Sequence, residues 1–180
     1  MKTLKKSYIP NILSAFRICL VPIFVYLFLA LEDKIYAILV FLLAGATDAV
    51  DGYLARRNGW TTDIGKVLDP LADKCMQIAS LVCLGISGFV HWWIVTVLSL
   101  KELILLVGAT SVLKTKHVYV QSNWYGKAGT VAFYIVVVLL VSVRSMPDAV
   151  RLLLGILLIG FMLFALIMYL ISFKKNVLKK

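Results

Sequence analysis

Between Asp48 and Asp73 the chain reads DAVDGYLARRNGWTTDIGKVLDPLAD, with carboxylates at positions 48, 51, 63, 69 and 73. Asp48 and Asp51 are three apart and Asp69 and Asp73 four apart, so on helices each pair projects from one face. Two such pairs facing one another offer a cation nothing but oxygen. No His or Cys falls in this window, and hard oxygen donors alone favour Mg²⁺ or Mn²⁺ over zinc. Arg56, Arg57 and Lys66 place cations beside the acids, while Gly52, Ala55 and Gly65 put small residues on the faces that carry them. Backbone can approach a ligand closely there. Acids that hold metal, beside cations and small residues, describe a site for a diphosphate. Small residues also serve helix packing and surface arginines serve as anchors, but neither role accounts for four facing acids.

The elements that must position these acids belong to a membrane. Of 180 residues, 62% are hydrophobic and 16% charged, against roughly half apolar and one-quarter charged in soluble domains. A soluble helical domain would need polar faces that most of these segments lack. Hydropathy marks six spans, at about 12–31, 36–54, 68–86, 89–113, 130–143 with some extension before it, and 149–173. The expected fold is therefore an all-α integral membrane protein of six transmembrane helices, a single domain over residues 1–180. The basic start and apolar run at the N-terminus resemble a signal peptide. The run is of spanning length, however, and no small-residue cleavage site follows, so it is read as retained. Met1–Tyr8, MKTLKKSY, could form a short interfacial helix ahead of Pro10.

Thirteen Lys and Arg residues fall in the N-terminus, the second and fourth connections and the C-terminus, against Lys34, Arg144 and Arg151 on the other side. The positive-inside rule then puts both termini, and the two helix ends that bear the acids, at the cytoplasmic face of the cell membrane. The net charge of +10 is of this kind: the cations flank apolar runs and form no recognition helix or aromatic-interleaved patch, so no nucleic-acid partner is expected. Cys19, Cys75 and Cys83, odd in number and inside apolar segments, are read as packing residues rather than a disulfide framework or metal site. At membrane depth four carboxylates cost on the order of 10 kcal/mol unless neutralised. Arg56 and Lys74 could offset part of that, and one or two divalent cations the whole.

Asp48, Asp51, Gly52, Ala55, Arg56, Gly65, Asp69 and Asp73 match the pattern D-x-x-D-G-x-x-A-R, eight residues, G-x-x-x-D-x-x-x-D at every position. This resembles the signature of the CDP-alcohol phosphatidyltransferases. The resemblance implies transfer of a phosphatidyl group from CDP-diacylglycerol to an alcohol, with release of CMP. It implies two divalent ions held by Asp48, Asp51 and Asp69, with Asp73 contributing to the metal site and acting as general base. Gly52, Ala55, Arg56 and Gly65 would line the CDP site, and a homodimer is expected at the level of the family.

The opening SYIPNILSAFRICLVPIF also resembles the P-N-x-L-(T/S)-x-x-R start of the family's phosphatidylglycerophosphate synthases. It makes Arg17 an intramembrane residue that faces the site or snorkels to the surface. Lys101 and Glu102 resemble the Arg-Glu pair of those synthases, with lysine in place of arginine; a local ion pair is the structural alternative. WYGKAGT, 124–130, resembles their G-K-x-x-T segment, with Lys127 a candidate for an acceptor phosphate. Glycerol 3-phosphate is the expected acceptor, bound by Arg17, Lys101 and Lys127. Against it, Gly129 stands where a further cation is usual and VGATSVL has none, which suits the family's cardiolipin synthases, whose acceptor is phosphatidylglycerol. A divalent-cation transporter also needs intramembrane acids, but would spread polar groups through several depths rather than cluster them at one face.

Three other features have local readings. His91, Trp92 and Trp93 fall at the outer interface as anchors, and His117 in a cytoplasmic loop. Asp63 is expected to cap the third helix. Lys74 is placed either to balance Asp73 or to approach the donor lipid.

Overall fold

The computed structural model describes residues 9–58, 65–114, 124–143 and 145–178. They form six helices, α1 (Ile9–Ala30), α2 (Ile35–Asn58), α3 (Gly65–Ile86), α4 (Trp92–Lys114), α5 (Trp124–Ser142) and α6 (Asp148–Leu178), and among the described residues there is no strand. At ~1.5 Å per residue, helices of 22 to 24 residues reach about 33–36 Å, enough to cross a ~30 Å hydrocarbon layer. The all-α membrane class expected from hydropathy is the one adopted. Asn11–Ala30, Ile35–Tyr53 and Asp148–Met168 are each long and apolar enough to span unaided, and the apolar part of α5, Ala128–Ser142, is shorter. α3 and α4 carry Asp69, Asp73 and Lys74, and Lys101 and Glu102, in their interiors. The expected interfacial helix at Met1–Tyr8, the Asp63 cap and the loop position of His117 lie outside the described residues.

The chain divides into two compact units, Met1–Cys83 and Leu84–Lys180. In the first, α1 buries Ser14, Arg17, Leu20, Phe24 and Phe28, a three- and four-residue spacing that makes one continuous face. α2 answers with Ala37, Phe41, Ala44 and Asp51 on its own stripe, and Asp48 falls in the same register. Phe24 packs 5.5 Å from Phe28 and 5.7 Å from Phe41, centroid to centroid. Both helices are thus aromatic at one end of their shared seam and polar at the other. The opposite faces expose Ile12, Phe16, Ile23, Leu39, Leu42 and Leu43. In water such surfaces would drive association; against lipid tails they need no partner.

The turn between α1 and α2 is closed by its own residues. Lys34 Nζ donates to the carbonyl oxygens of Phe28 and Leu31 at the end of α1, where the helix dipole favours a cation. Asp33 Oδ1 accepts from the Ile35 N–H at 3.3 Å and so satisfies an orphan donor at the start of α2.

The second unit begins on the end of α3. The Gly88 N–H donates to the Gly85 carbonyl at 3.1 Å and the Phe89 N–H to the Leu84 carbonyl at 2.9 Å, the paired bonds of a Schellman motif. Gly88 has φ 73°, a left-handed conformation that costs side chains with a β-carbon. Phe89, expected inside the fourth span, therefore lies in the connection, and α4 starts only where the His91 carbonyl accepts from the Ile94 and Val95 N–H groups. Gly88→Val is expected to lower stability by about 1–2 kcal/mol, while Gly88→Asn costs less because asparagine tolerates this conformation. Thermal midpoints in one detergent check both.

Ile94, Val95 and Leu98 of α4, Phe133, Val137 and Leu140 of α5, and Leu158 and Met162 of α6 form the buried core of this unit. A β-carbon on Gly155 would lie 2.6 Å from Ile94 Cδ1, so glycine lets α6 approach α4 closely.

Candidate active site

The polar end of the α1–α2 seam holds the acids. Arg17 is completely buried and bridges two carboxylates of α2: Nη1 lies 2.7 Å from Asp48 Oδ1 and Nη2 2.5 Å from Asp51 Oδ2. The three-residue spacing of Asp48 and Asp51 matches the fork of the guanidinium, which holds one acid with each arm. Ser14, one turn before Arg17 on the same face of α1, donates from its hydroxyl to Asp69 Oδ1 of α3. Asp69 and Asp73 both act electrostatically on Asp48, and Asp48 and Asp69 on Asp51. The four acids named by spacing therefore belong to one neighbourhood within the first unit.

Asp73 has its own partners. The Gln77 amide donates to both of its oxygens, at 3.1 and 3.0 Å, and Lys74 Nζ lies 3.2 Å from Oδ2. Lys74 also donates to Gln77 Oε1 at 3.3 Å. Of the two placements open for Lys74, the structure thus shows the one that balances Asp73. Gln77 is itself buried, and its backbone carbonyl accepts from the Ser80 hydroxyl at 2.8 Å.

Gly65 is buried at the first residue of α3, and Gly52 is half-buried directly after Asp51. Ala55 and Arg56 fall in α2 and Lys127 in α5, but their side chains lie outside the described set. Lys101 belongs to the second unit. It is buried on α4 with Nζ 2.5 Å from Glu102 Oε1 and 3.7 Å from Met162 Sδ of α6, so the local ion pair is the arrangement seen. Glu102→Leu would leave this ammonium buried without that carboxylate and is expected to cost about 3–5 kcal/mol. Lys101→Met/Glu102→Leu should recover most of the loss. Thermal melts of the single and double variants check this.

Two partners were not legible beforehand. Ser14 and Arg17 share one helix face, but nothing in the sequence says which acids they meet. Gln77 follows Asp73 by four, a spacing that permits the contact without requiring it.

The donor set fits a hard divalent cation. It is made of carboxylate oxygens with one serine hydroxyl beside them, and Asp48 and Asp51 already converge on a single positive group. As the side chains lie, no group of three or more His, Cys, Asp or Glu residues among those described is gathered into a metal shell. Arg17 and Ser14 engage one oxygen each of Asp48, Asp51 and Asp69, and Gln77 both oxygens of Asp73.

Apolar helices of spanning length, with acids of α2 bridged by a buried arginine of α1, define a helical membrane protein. The sequence model of the CDP-alcohol phosphatidyltransferases matches residues 7–172, and the chain belongs to that family. It is 37% identical over 127 residues to a Streptomyces coelicolor protein named cardiolipin synthase (CMP-forming), covering 68% of this chain and 59% of that one. To a Mycobacterium tuberculosis protein provisionally named a cardiolipin synthase it is 31% identical over 128 residues, 71% of this chain and 61% of the relative. To the Bacillus subtilis CDP-diacylglycerol--glycerol-3-phosphate 3-phosphatidyltransferase it is 34% identical over 143 residues, 72% and 74% of the two chains. The match thus spans about 60% of the length of the two cardiolipin synthase relatives.

Proposed function

We propose that this chain is an enzyme of phospholipid synthesis that transfers a phosphatidyl group from CDP-diacylglycerol to glycerol 3-phosphate, giving phosphatidylglycerophosphate and CMP. The observation that carries this is the eight-position pattern from Asp48 to Asp73, whose four acids share one neighbourhood between helices. Two divalent ions, Mg²⁺ or Mn²⁺, held by Asp48, Asp51 and Asp69 with Asp73 contributing, would supply charge neutralisation to the diphosphate and to the departing CMP.

The chain's own residues do the rest. Asp73 takes the proton of the acceptor hydroxyl as its oxygen attacks the phosphorus that bears the diacylglycerol. The bond from that phosphorus to the CMP oxygen breaks, and CMP leaves with the electron pair. The Gln77 amide, bonded to both oxygens of Asp73, fixes the carboxylate's orientation, and Lys74 lies 3.2 Å from its Oδ2 as a countercharge. Gly52, Ala55, Arg56 and Gly65 line the CDP site: the glycines admit the diphosphate close to backbone, and Arg56 offers it a guanidinium. Arg17 is the cation of the first unit assigned to the acceptor phosphate, and Lys101 and Lys127 are assigned to it on their sequence motifs alone. Residues 1–180 act as one catalytic domain of a homodimer in the cell membrane, with both termini and the site at the cytoplasmic face, as the distribution of Lys and Arg supports.

The test is a panel of acceptors. Purified protein with CDP-diacylglycerol and Mg²⁺ is offered glycerol 3-phosphate, phosphatidylglycerol, inositol phosphate and serine, and the lipid product is identified. Phosphatidylglycerophosphate is expected. Conversion of phosphatidylglycerol alone would replace the acceptor and make the protein a cardiolipin synthase.

A further inference from the structure

Arg17 is the cation at the centre of the acids. It is a fully buried arginine, its two terminal nitrogens are committed to Asp48 and Asp51, and its Nε has no hydrogen-bond partner. A guanidinium in that position does the electrostatic work of a divalent cation: it joins two carboxylates on one helix and cancels part of their charge. It also engages one oxygen of each: Oδ1 of Asp48 and Oδ2 of Asp51 are turned to Arg17, as Oδ1 of Asp69 is to Ser14. A divalent cation drawn to Asp48 and Asp51 would have to share them with the guanidinium, and like charges repel strongly in a medium of low dielectric.

We propose that Arg17 is a built-in counter-cation, which holds Asp48 and Asp51 together when the site lacks metal and is displaced from them when a divalent ion binds. The protein can then fold and insert with its acids compensated whether or not metal is present, since a charge left unpaired at this depth is costly. The displaced guanidinium stays inside the site as a free anion-binding fork. Metal loading thereby exposes a group suited to a phosphate oxygen, in keeping with the acceptor role assigned to Arg17 above. This presupposes the metal site of the proposed phosphatidyltransferase and adds to it the competition for its ligands.

The test uses the full-length protein in detergent and reads metal binding rather than turnover. Mn²⁺ is titrated against wild type and Arg17→Met, with free ion followed by electron paramagnetic resonance, and thermal midpoints are taken in chelator and in Mn²⁺. Loss of a competitor should tighten Mn²⁺ binding about tenfold or more in Arg17→Met. The variant should also melt well below wild type in chelator and approach it in Mn²⁺. Mn²⁺ affinity that is unchanged or weaker in Arg17→Met overturns the proposal, because Arg17 would then be a neutral bystander or a support for the ligands.

Should the variant fail to fold, the wild type still decides. In protein labelled with ¹⁵N-arginine, the guanidinium signal of the buried, doubly paired Arg17 should lose its salt-bridge signature on titration with Mg²⁺. A signal that Mg²⁺ leaves in place overturns the proposal. Either negative result can occur while wild type still releases CMP, which leaves the phosphatidyltransferase standing. Absence of CMP release with the competition intact would do the reverse.

Discussion

Asp73→Asn is expected to lower the rate of CMP release by about 10²–10⁴-fold, the usual contribution of a positioned general base. The change keeps the shape of the side chain and removes its charge. It also replaces by an NH2 group one of the two oxygens that accept from the Gln77 amide and face the Lys74 ammonium. Asp69→Asn should be at least as damaging, because it removes one carboxylate from the oxygen set and leaves the Ser14 hydroxyl facing an amide. A thermal midpoint near that of wild type in each variant would separate loss of chemistry from loss of fold. Full activity in either variant would sink the assignment of these acids.

Removal of divalent ions should have an effect of the same order. With an excess of EDTA, CMP release should fall to background, and Mg²⁺ or Mn²⁺ should restore it. The reason lies in the proposed ligands: four carboxylates, with no imidazole or thiolate among the acids, suit hard ions that prefer oxygen. Zn²⁺ at the same concentration should restore less. The folded protein should survive the chelator, since the Arg17 guanidinium already bridges Asp48 and Asp51. Undiminished activity in EDTA would contradict a metal-dependent transfer.

Much of this was legible in the sequence because two periodicities carry the information. Long apolar runs fix helices of spanning length, and all six appear where hydropathy put them. Their ends do not coincide with it. α2 runs on to Asn58 and α6 to Leu178, past the apolar stretch, because backbone hydrogen bonding continues into the interface after hydropathy has fallen. In the other direction, Gly88 stops α3 and keeps Phe89 out of α4, a conformational effect to which hydropathy is blind. The acids could be singled out for a different reason: spacings of three and four put each pair on one face of its helix, while which faces meet depends on the packing of the helices.

What the sequence withheld are the contacts between helices. Arg17 was known to be intramembrane, but its choice of Asp48 and Asp51 depends on how α1 meets α2. That register is set by packing of Phe24, Phe28 and Phe41 some turns away. Lys101 is an instance of the opposite kind, since its nearest candidate partner was adjacent in sequence and is the one it takes.

The most direct measurement of the central claim follows CMP in a reconstituted system. Wild-type protein in lipid vesicles is given CDP-diacylglycerol and Mg²⁺, with and without glycerol 3-phosphate, and CMP and lipid product are quantified together. CMP should appear only with the acceptor and in equal amount to phosphatidylglycerophosphate. No CMP with any acceptor, together with Mg²⁺ or Mn²⁺ uptake into the vesicles, would contradict a phosphatidyltransferase and make the acids part of an ion path.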